Sequence, residues 1–309
     1  MADDIAFNRD FDIIHGKPDQ VSPLVRRVVA ANPSHFTFKG TCSYIVGSGE
    51  VAVIDPGPMD KTHVDAILAA LGPGGERVTH ILVTHTHKDH SPGARLLKAH
   101  TGASVYAFGP HRQTSSGMPG GAAALDAAGD MEFEPDVRVA HGDLIEAEGF
   151  SLECVFTPGH TANHMAFALR QERALFSGDH VMGWSTSVIA PPDGNMADYM
   201  ASLELLTGRS DKVYWPGHGG PVAEPGSFVR AFIAHRRMRE AAILRRLEAG
   251  DRTIAEIVRR VYESLPQNLF AAASLSVLAH LQDLAQRGIV VSDGPPRLDS
   301  AFRIAGTGP

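Results

Sequence analysis

The sequence predicts an α/β protein: two mixed sheets flanked by helices, followed by a helical module that ends in a hairpin. Three observations carry this. Short β-branched runs alternate with amphipathic helical runs through the first part of the chain. Several of the strands come in hairpin pairs, which points to mixed sheets. From Ser227 the pattern changes to helical spacing.

Taken in order, SYIVGSGEVAVIDPG (43–57) reads as two strands around a Gly-Ser-Gly turn. THVDAILAALGPGG (62–75) reads as an amphipathic helix stopped by Gly and Pro. VTHILVTH is a buried strand, SPGARLLKAHTG a helix and VYAFG another strand. Residues 109–130, rich in Gly, Ala, Ser and Pro, predict a long loop of the kind that is functional or poorly ordered. Strands resume with VRVA, DLIEAE, FSLECVFTPGH, MAFALR and ALFSGD. A second loop (183–199) precedes the helix YMASLELLTG, and the strand VYWPGHG closes the region.

SFVRAFIAHRRMREAAILRRLEAG then predicts one long arginine-rich helix ended by Gly250. Ile254, Ile257, Val258 and Val261 fall at helical spacing, as do Leu275, Leu278, Leu281 and Leu284. IVVSD and RLDSAFRIA form the closing strands. Three helices followed by a β-hairpin is the order of a winged helix. The expected division is 1–225 for a catalytic domain and 226–309 for a linker helix plus winged-helix domain.

A chain of 309 residues with 43 % hydrophobic and 20 % charged residues has an ordinary globular composition. No apolar run approaches the ~18 residues that cross a bilayer, and the acidic start lacks the order of a secretory signal. A cytoplasmic protein without membrane contact is expected. Cys42 and Cys154 sit in apolar strand-like runs and read as buried thiols. Residues 226–309 hold 12 arginines and no lysine against 8 acids, a net +4 that leaves −11 on the rest. The basic tail hints at an anionic partner, and a solvated helical surface accounts for it equally.

The chemistry is concentrated in THTHKDH (84–90). Alternation along the end of the preceding strand sends His85 and His87 to the same side. Asp89 and His90 follow as the chain turns, so two imidazoles can grip one metal while the Asp-His pair reaches a neighbouring one. Further ligand types stand at strand ends, next to glycines that leave room for tight turns: His160 in TPGHT, Asp179 in FSGDH and His218 in WPGHG. Seven ligands, with one carboxylate able to bridge, fit two metals better than one.

HxHxDH, TPGHT, SGD and PGHG in this order resemble the metallo-β-lactamase superfamily. TPGHTANHMAFAL, FSGDHVMGWST, DYMASLELL, YWPGHGGPV, HRRMRE and the winged helix resemble one branch of it. That branch is the β-lactamase-like protein 2 group, relatives of glyoxalase II that include an endoribonuclease. The resemblance covers roughly residues 25–295. It implies an αββα sandwich, the metallo-β-lactamase fold. It also implies that His85, His87 and His160 hold a first zinc, that Asp89, His90 and His218 hold a second, and that Asp179 bridges them. Imidazole and carboxylate donors suit zinc, with iron or manganese as alternatives. A water bridging two such ions ionises near neutral pH and can act as nucleophile.

Asp89 is expected to serve catalysis as well as coordination. His164 and His180 either donate a proton or hydrogen bond to substrate or support the ligands from behind. Asp55, closing VAVID, is expected to orient the ligand loop, and Thr84 and Thr86 to be structural. His15, His35, His63, His80, His100, His111, His141, His235 and His280 match no motif and read as surface or packing residues. Trp184, Ser185, Thr186 and Tyr199 are candidate pocket residues or loop packing.

The expected activity is hydrolysis of a small ester, thioester, lactone or lactam, with cleavage of single-stranded RNA as the alternative. A third reading is a metal-holding interaction protein with vestigial chemistry, against which the full ligand set argues. His87 disfavours an oxygen-reducing diiron relative, which carries a carboxylate there. The helix 273–288 is almost free of basic residues, so sequence-specific DNA binding is not expected. The winged helix could instead pack on the catalytic domain, line its cleft or form a homodimer.

Overall fold

The computed structural model describes residues 5–72, 74–111, 129–262 and 266–306. Seven strands form the first sheet in chain order: β1 (Asp19–Ser22), β2 (Val25–Val29), β3 (Cys42–Ser48), β4 (Glu50–Ile54), β5 (Arg77–Leu82), β6 (Ser104–Ala107) and β7 (Val137–Arg138). β1 to β4 run antiparallel, and β4 to β7 pair in parallel. The second sheet holds β8 (Leu144–Ala147), β9 (Phe150–Phe156), β10 (Met165–Leu169), β11 (Ala174–Gly178) and β12 (Val213–Pro216), in the order β12-β11-β10-β9-β8. Only its β11–β12 pair is parallel. Both sheets are mixed, as the sequence predicts.

Strand alternation divides each sheet into two apolar faces. Cys42, Tyr44 and Val46 of β3 and Met165, Phe167 and Leu169 of β10 point between the sheets, into a core shared with Phe176 and Trp215. Ile45, Val51 and Val53 point outward, under helices α1 (Lys61–Ala69) and α2 (Gly93–Thr101). Val155, Ala166, Ala168 and Leu175 face the opposite side, under α3 (Met196–Thr207) and α4 (Pro225–Glu248). The result is the αββα layering.

Helix α4 continues past this body. Val229, Phe232 and Ile233 pack on the outer face of the second sheet, while Ile243 and Leu247 enter a separate core. That core is completed by α5 (Ile254–Val261), α6 (Phe270–Gln286) and the antiparallel hairpin β13 (Val290–Ser292)–β14 (Phe302–Ile304). Thr253 and Glu256 form a reciprocal capping box at the start of α5. No helix among the described residues is long and apolar enough to cross a membrane. Cys42 and Cys154 are free and buried.

Two strands, β1 and β2, are not expected from sequence. The paired arginines of VRRVV obscure β2. Arg26 escapes burial as a bare charge by pairing with Glu76 at 2.7 Å, and Arg27 pairs with Asp19 and lies over the Phe11 ring. The expected strand VRVA shrinks to Val137–Arg138. Of the expected loop 109–130, residues 112–128 lie outside the described residues.

Phe167 is fully buried between the sheets. Phe167→Ala should therefore lower unfolding stability by about 3–5 kcal/mol, measured by urea denaturation; a loss near zero would show that the sheets do not close over it.

Candidate metal centre

The ends of β4, β5, β9, β11 and β12 meet at one rim of the sandwich. At the end of β4 the chain turns through Asp55, with φ at +50°. The Asp55 carboxylate accepts from the Thr84 amide and hydroxyl, each at 2.7 Å, and from His90 Nδ1 at 2.9 Å. This holds the segment after β5 against the neighbouring strand end. A tight turn follows, in which the amides of His90 and Ser91 donate to the His87 carbonyl at 2.9 and 3.1 Å.

The rim gathers two groups of donors. In the first, His87 Nδ1 lies 3.1 Å from His85 Nε2 and 3.2 Å from His160 Nε2, with Asp179 Oδ2 3.7 Å from His160 and 4.0 Å from His85. In the second, His90 Nε2, His218 Nε2 and Asp89 Oδ2 are mutually 3.2 Å apart. Asp179 belongs to both: its Oδ2 is 3.3 Å from His218 Nε2 and its Oδ1 is 3.5 Å from His90 Nε2. All seven expected ligands thus converge.

The donors suit divalent ions. Four ligands at ~2 Å from a tetrahedral ion stand about 3.3 Å from one another, close to the spacings seen. Orientation agrees with distance. His160 Nδ1 points to the Val188 carbonyl at 2.7 Å and His218 Nδ1 to the Gly40 carbonyl at 3.2 Å. Carbonyls and carboxylates only accept, so these rings and His90 carry their proton on Nδ1 and turn the Nε2 lone pair into the site. His85 Nδ1 meets Thr84 Oγ1 at 3.0 Å, whose own hydrogen is committed to Asp55, so His85 has the same tautomer. A third grouping, Asp55 with His85 and His90, is also compact. There the Asp55 oxygens are already engaged by Thr84 and His90, which makes Asp55 an orienting group, as expected.

The electrostatics separate the two groups. Burial, reinforced by His90 and His87, pushes His85 well below the usual imidazole range. Burial and then His160 take His87 to about 3. Burial would lower His90 and His218 too, but the carboxylates of Asp89 and Asp179 raise His90 well above its usual value and His218 to about 9. Burial would raise Asp89 and Asp179, yet His90 and His218 hold both well below the usual carboxylate range. Without an ion, His85 and His87 are therefore neutral, while His90 and His218 hold protons against Asp89 and Asp179 that a bound cation would displace.

His164 and His180 are fully buried, and neither lines the cleft in front of the donors. His164 meets Thr157 Oγ1 at 2.9 Å through Nδ1 and stacks on His85 with centroids 5.2 Å apart. Its Nε2 lies beside Gly178, where a Cβ would come within 2.5 Å. His180 packs on the Tyr199 ring at 4.6 Å. Burial drives His164 well below the imidazole range and His180 to about 3, so both stay neutral.

The cleft holds about 1000 Å³, open solvent at its mouth included. Met182, Trp184, Val188, Ala190, Pro191 and Pro192 line it on the side of the loop 183–193, and His35, Phe36 and Thr37 line it as well. Trp184, Ser185 and Thr186 are pocket residues as expected; Tyr199 is buried beneath the loop and is not. Sequence reasoning missed His111. It lines the cleft while almost fully buried, with Nδ1 2.8 Å from Thr86 Oγ1. A partial signal existed: after a strand, Gly109-Pro110-His111 reverses the Pro-Gly of the Pro-Gly-His that precedes His160 and His218.

A model of the family described as "Metallo-beta-lactamase superfamily" matches residues 36–218, and one described as "Beta-lactamase associated winged helix domain" matches 253–297. A Drosophila melanogaster protein named "Beta-lactamase-like protein 2 homolog" is 32 % identical, over 87 % of this chain and 90 % of that one. An "Atrochrysone carboxyl ACP thioesterase" of Aspergillus terreus is 30 % identical, over 80 % of this chain and 72 % of that one. A crystal structure of a beta-lactamase domain protein from Burkholderia ambifaria superposes with a TM-score of 0.80 over 96 % of each chain at 20 % identity, a likeness of fold.

Gly217 leaves the space that the shared carboxylate occupies: a Cβ there would stand 2.5 Å from Asp179 Oδ1 and 2.7 Å from His90 Cε1. Gly217→Ala should cut metal content measured on the purified protein by half or more while circular dichroism is unchanged. Full loading in this variant would show that the space at Gly217 is not needed.

Proposed function

The chain belongs to the metallo-beta-lactamase superfamily and is a hydrolase, and from that premise we propose that it is a dinuclear zinc enzyme cleaving the ester or thioester of an apolar acyl group. The observation that carries this is the Asp179 carboxylate, shared between two sets of donors and facing a cleft walled by Met182, Trp184, Val188 and Pro191. In this reading His85, His87 and His160 hold one zinc, Asp89, His90 and His218 the other, and Asp179 both. Residues 1–225 form the catalytic domain and 226–309 the linker helix and winged-helix domain.

Two bound zinc ions would supply Lewis acidity at the carbonyl and lower the pKa of water to near neutrality. The protein's own groups do the rest. Asp89, a ligand that also lines the cleft, is the carboxylate placed to accept a proton from the attacking water. The apolar wall binds the acyl part and excludes bulk water from the carbonyl. His111, fixed through Thr86, presents its ring to the bound substrate. His164 and His180, neutral and buried, hold His85 and the end of β11 in place from behind.

A small-molecule partner is supported over RNA by the cleft wall and by where the arginines go. Arg237 pairs with Glu204, Arg246 with Asp251 and Arg287 with Glu240, while Arg239 stacks on Tyr262. Phosphodiester binding draws on cations free to neutralise phosphates. The thioesterase relatives support a thioester among the carbonyl substrates.

The purified protein should hold about two zinc ions per chain and lose hydrolysis on chelation. Asp89→Ala and His218→Ala should each reduce this to about one. One panel tests the substrate: an aromatic acyl thioester, a lactone, a chromogenic cephalosporin and single-stranded RNA, each with wild type and His85→Ala. Thioester turnover by wild type alone is expected. RNA turnover alone, or one metal unaffected by Asp89→Ala and His218→Ala, would overturn the reading.

A further inference from the structure

The loop 183–193 leaves the metal centre after β11 and returns to α3 without regular secondary structure. A segment with no hydrogen-bonded ladder of its own takes its position from whatever backs it. One side of this loop is the cleft wall. The other lies against the helix and module that follow the catalytic body.

Four consecutive residues make the connection. The Ser187 carbonyl accepts from Arg236 Nη2, on α4. Ser187 Oγ donates to the carbonyls of Asp179 and His180, at 2.5 and 2.8 Å. The Val188 carbonyl accepts from His160 Nδ1 at 2.7 Å. Ile189 is fully buried in the cluster that contains Phe232 of α4 and Ala279 of α6, and Ala190 packs against the C-terminal core. Arg236 itself is 4 % exposed, with its guanidinium 5.1 Å from the Tyr199 ring, whose hydroxyl reaches the His180 carbonyl at 2.9 Å. Burying a guanidinium is unfavourable unless it is well partnered. Its partner here is the carbonyl next to the one that orients His160.

We infer that the C-terminal module is a structural part of the metal centre: Arg236, acting through Ser187 and Val188, is a positioning residue that sets the ring orientation of His160. The inference rests on the assignment of His160 as a zinc ligand. The carbonyl that receives the Nδ1 proton fixes both the tautomer of the ring and the direction of its Nε2 lone pair. Releasing the loop from α4 lets that carbonyl drift, and the donor turns away from His85 and His87. Helix α4, backed by α6 through Ala279, thus serves as the back wall of the active site.

The test uses the full-length zinc-loaded protein. Zinc affinities are measured by chelator competition, and the His160 Nδ1–H resonance by NMR. Arg236→Met should weaken one of the two zinc ions by roughly 10- to 100-fold and leave the other unchanged, as loss of a ligand's supporting partner does. Its Nδ1–H signal should be lost to exchange. Arg236→Lys should recover part of the affinity. Arg237→Met, which removes only a surface ion pair to Glu204, should match wild type. Ile189→Ala unseats the same loop segment without touching Arg236 and should weaken the same zinc, which keeps the test decisive if Arg236→Met does not fold. Folded variants that keep both affinities and the Nδ1–H signal would overturn the inference. Wild type with no zinc would instead overturn the metal assignment on which it rests.

Discussion

The Asp55 carboxylate is the constraint on which the rest of the site depends. It ends β4 at a positive φ, a conformation that is unfavourable for a residue with a Cβ unless its surroundings enforce it. Its compensation is three hydrogen bonds, two to Thr84 and one to His90. Through Thr84 it aligns His85; directly, it aligns His90. One buried carboxylate therefore orients a donor in each half of the centre. It also joins the ends of two parallel strands, so the ligand turn 84–90 cannot move independently of the sheet. Without that group His90 would lose its Nδ1 partner, and His85 would keep only a Thr84 hydroxyl no longer held by a carboxylate.

The convergence of the candidate ligands was legible because coordination chemistry constrains residue type, and strand ends with glycine mark where such residues can crowd together. His85, His87, Asp89, His90, His160, Asp179 and His218 converge as the spacing suggests. The layering was legible less directly: hairpin strand pairs alternating with helices pointed to two mixed sheets flanked by helices, and the αββα order came with the family resemblance. The strands β1 and β2 were not, because the arginines of β2 reach acids or an aromatic ring that a linear reading cannot locate. His164 and His180 show the same limit. His180 adjoins the candidate ligand Asp179 and His164 follows His160 by four residues, but whether a ring faces substrate or packs behind the donors is decided by side-chain direction at a strand end. His111 was missed for the opposite reason: one histidine after a loop-like Gly-Pro carries little weight until Thr86 is seen to hold it.

The division of labour between the two ends of the chain follows from charge. The catalytic body is acidic and the C-terminal part basic, yet the arginines of α4 are largely turned inward or paired locally. Arg236 is buried under the cleft loop, and Arg239 lies over Tyr262. A helix that uses its cations this way stiffens the joint between body and module and has few left to track a phosphate backbone. Part of the basic composition is thus spent on intramolecular packing.

This also bears on how substrate choice can change while the metal chemistry stays. The seven donors come from strand ends, where backbone geometry is set by two sheets and their common core. The apolar wall comes from an irregular loop whose seat is a helix and a winged module outside that core. Substitutions in the wall, or in the residues that back it, can reshape the cleft with the donor cage largely intact. Val188 is the exception, since its carbonyl serves the wall and His160 at once. At that position, reshaping the pocket and retuning the metal are one and the same change.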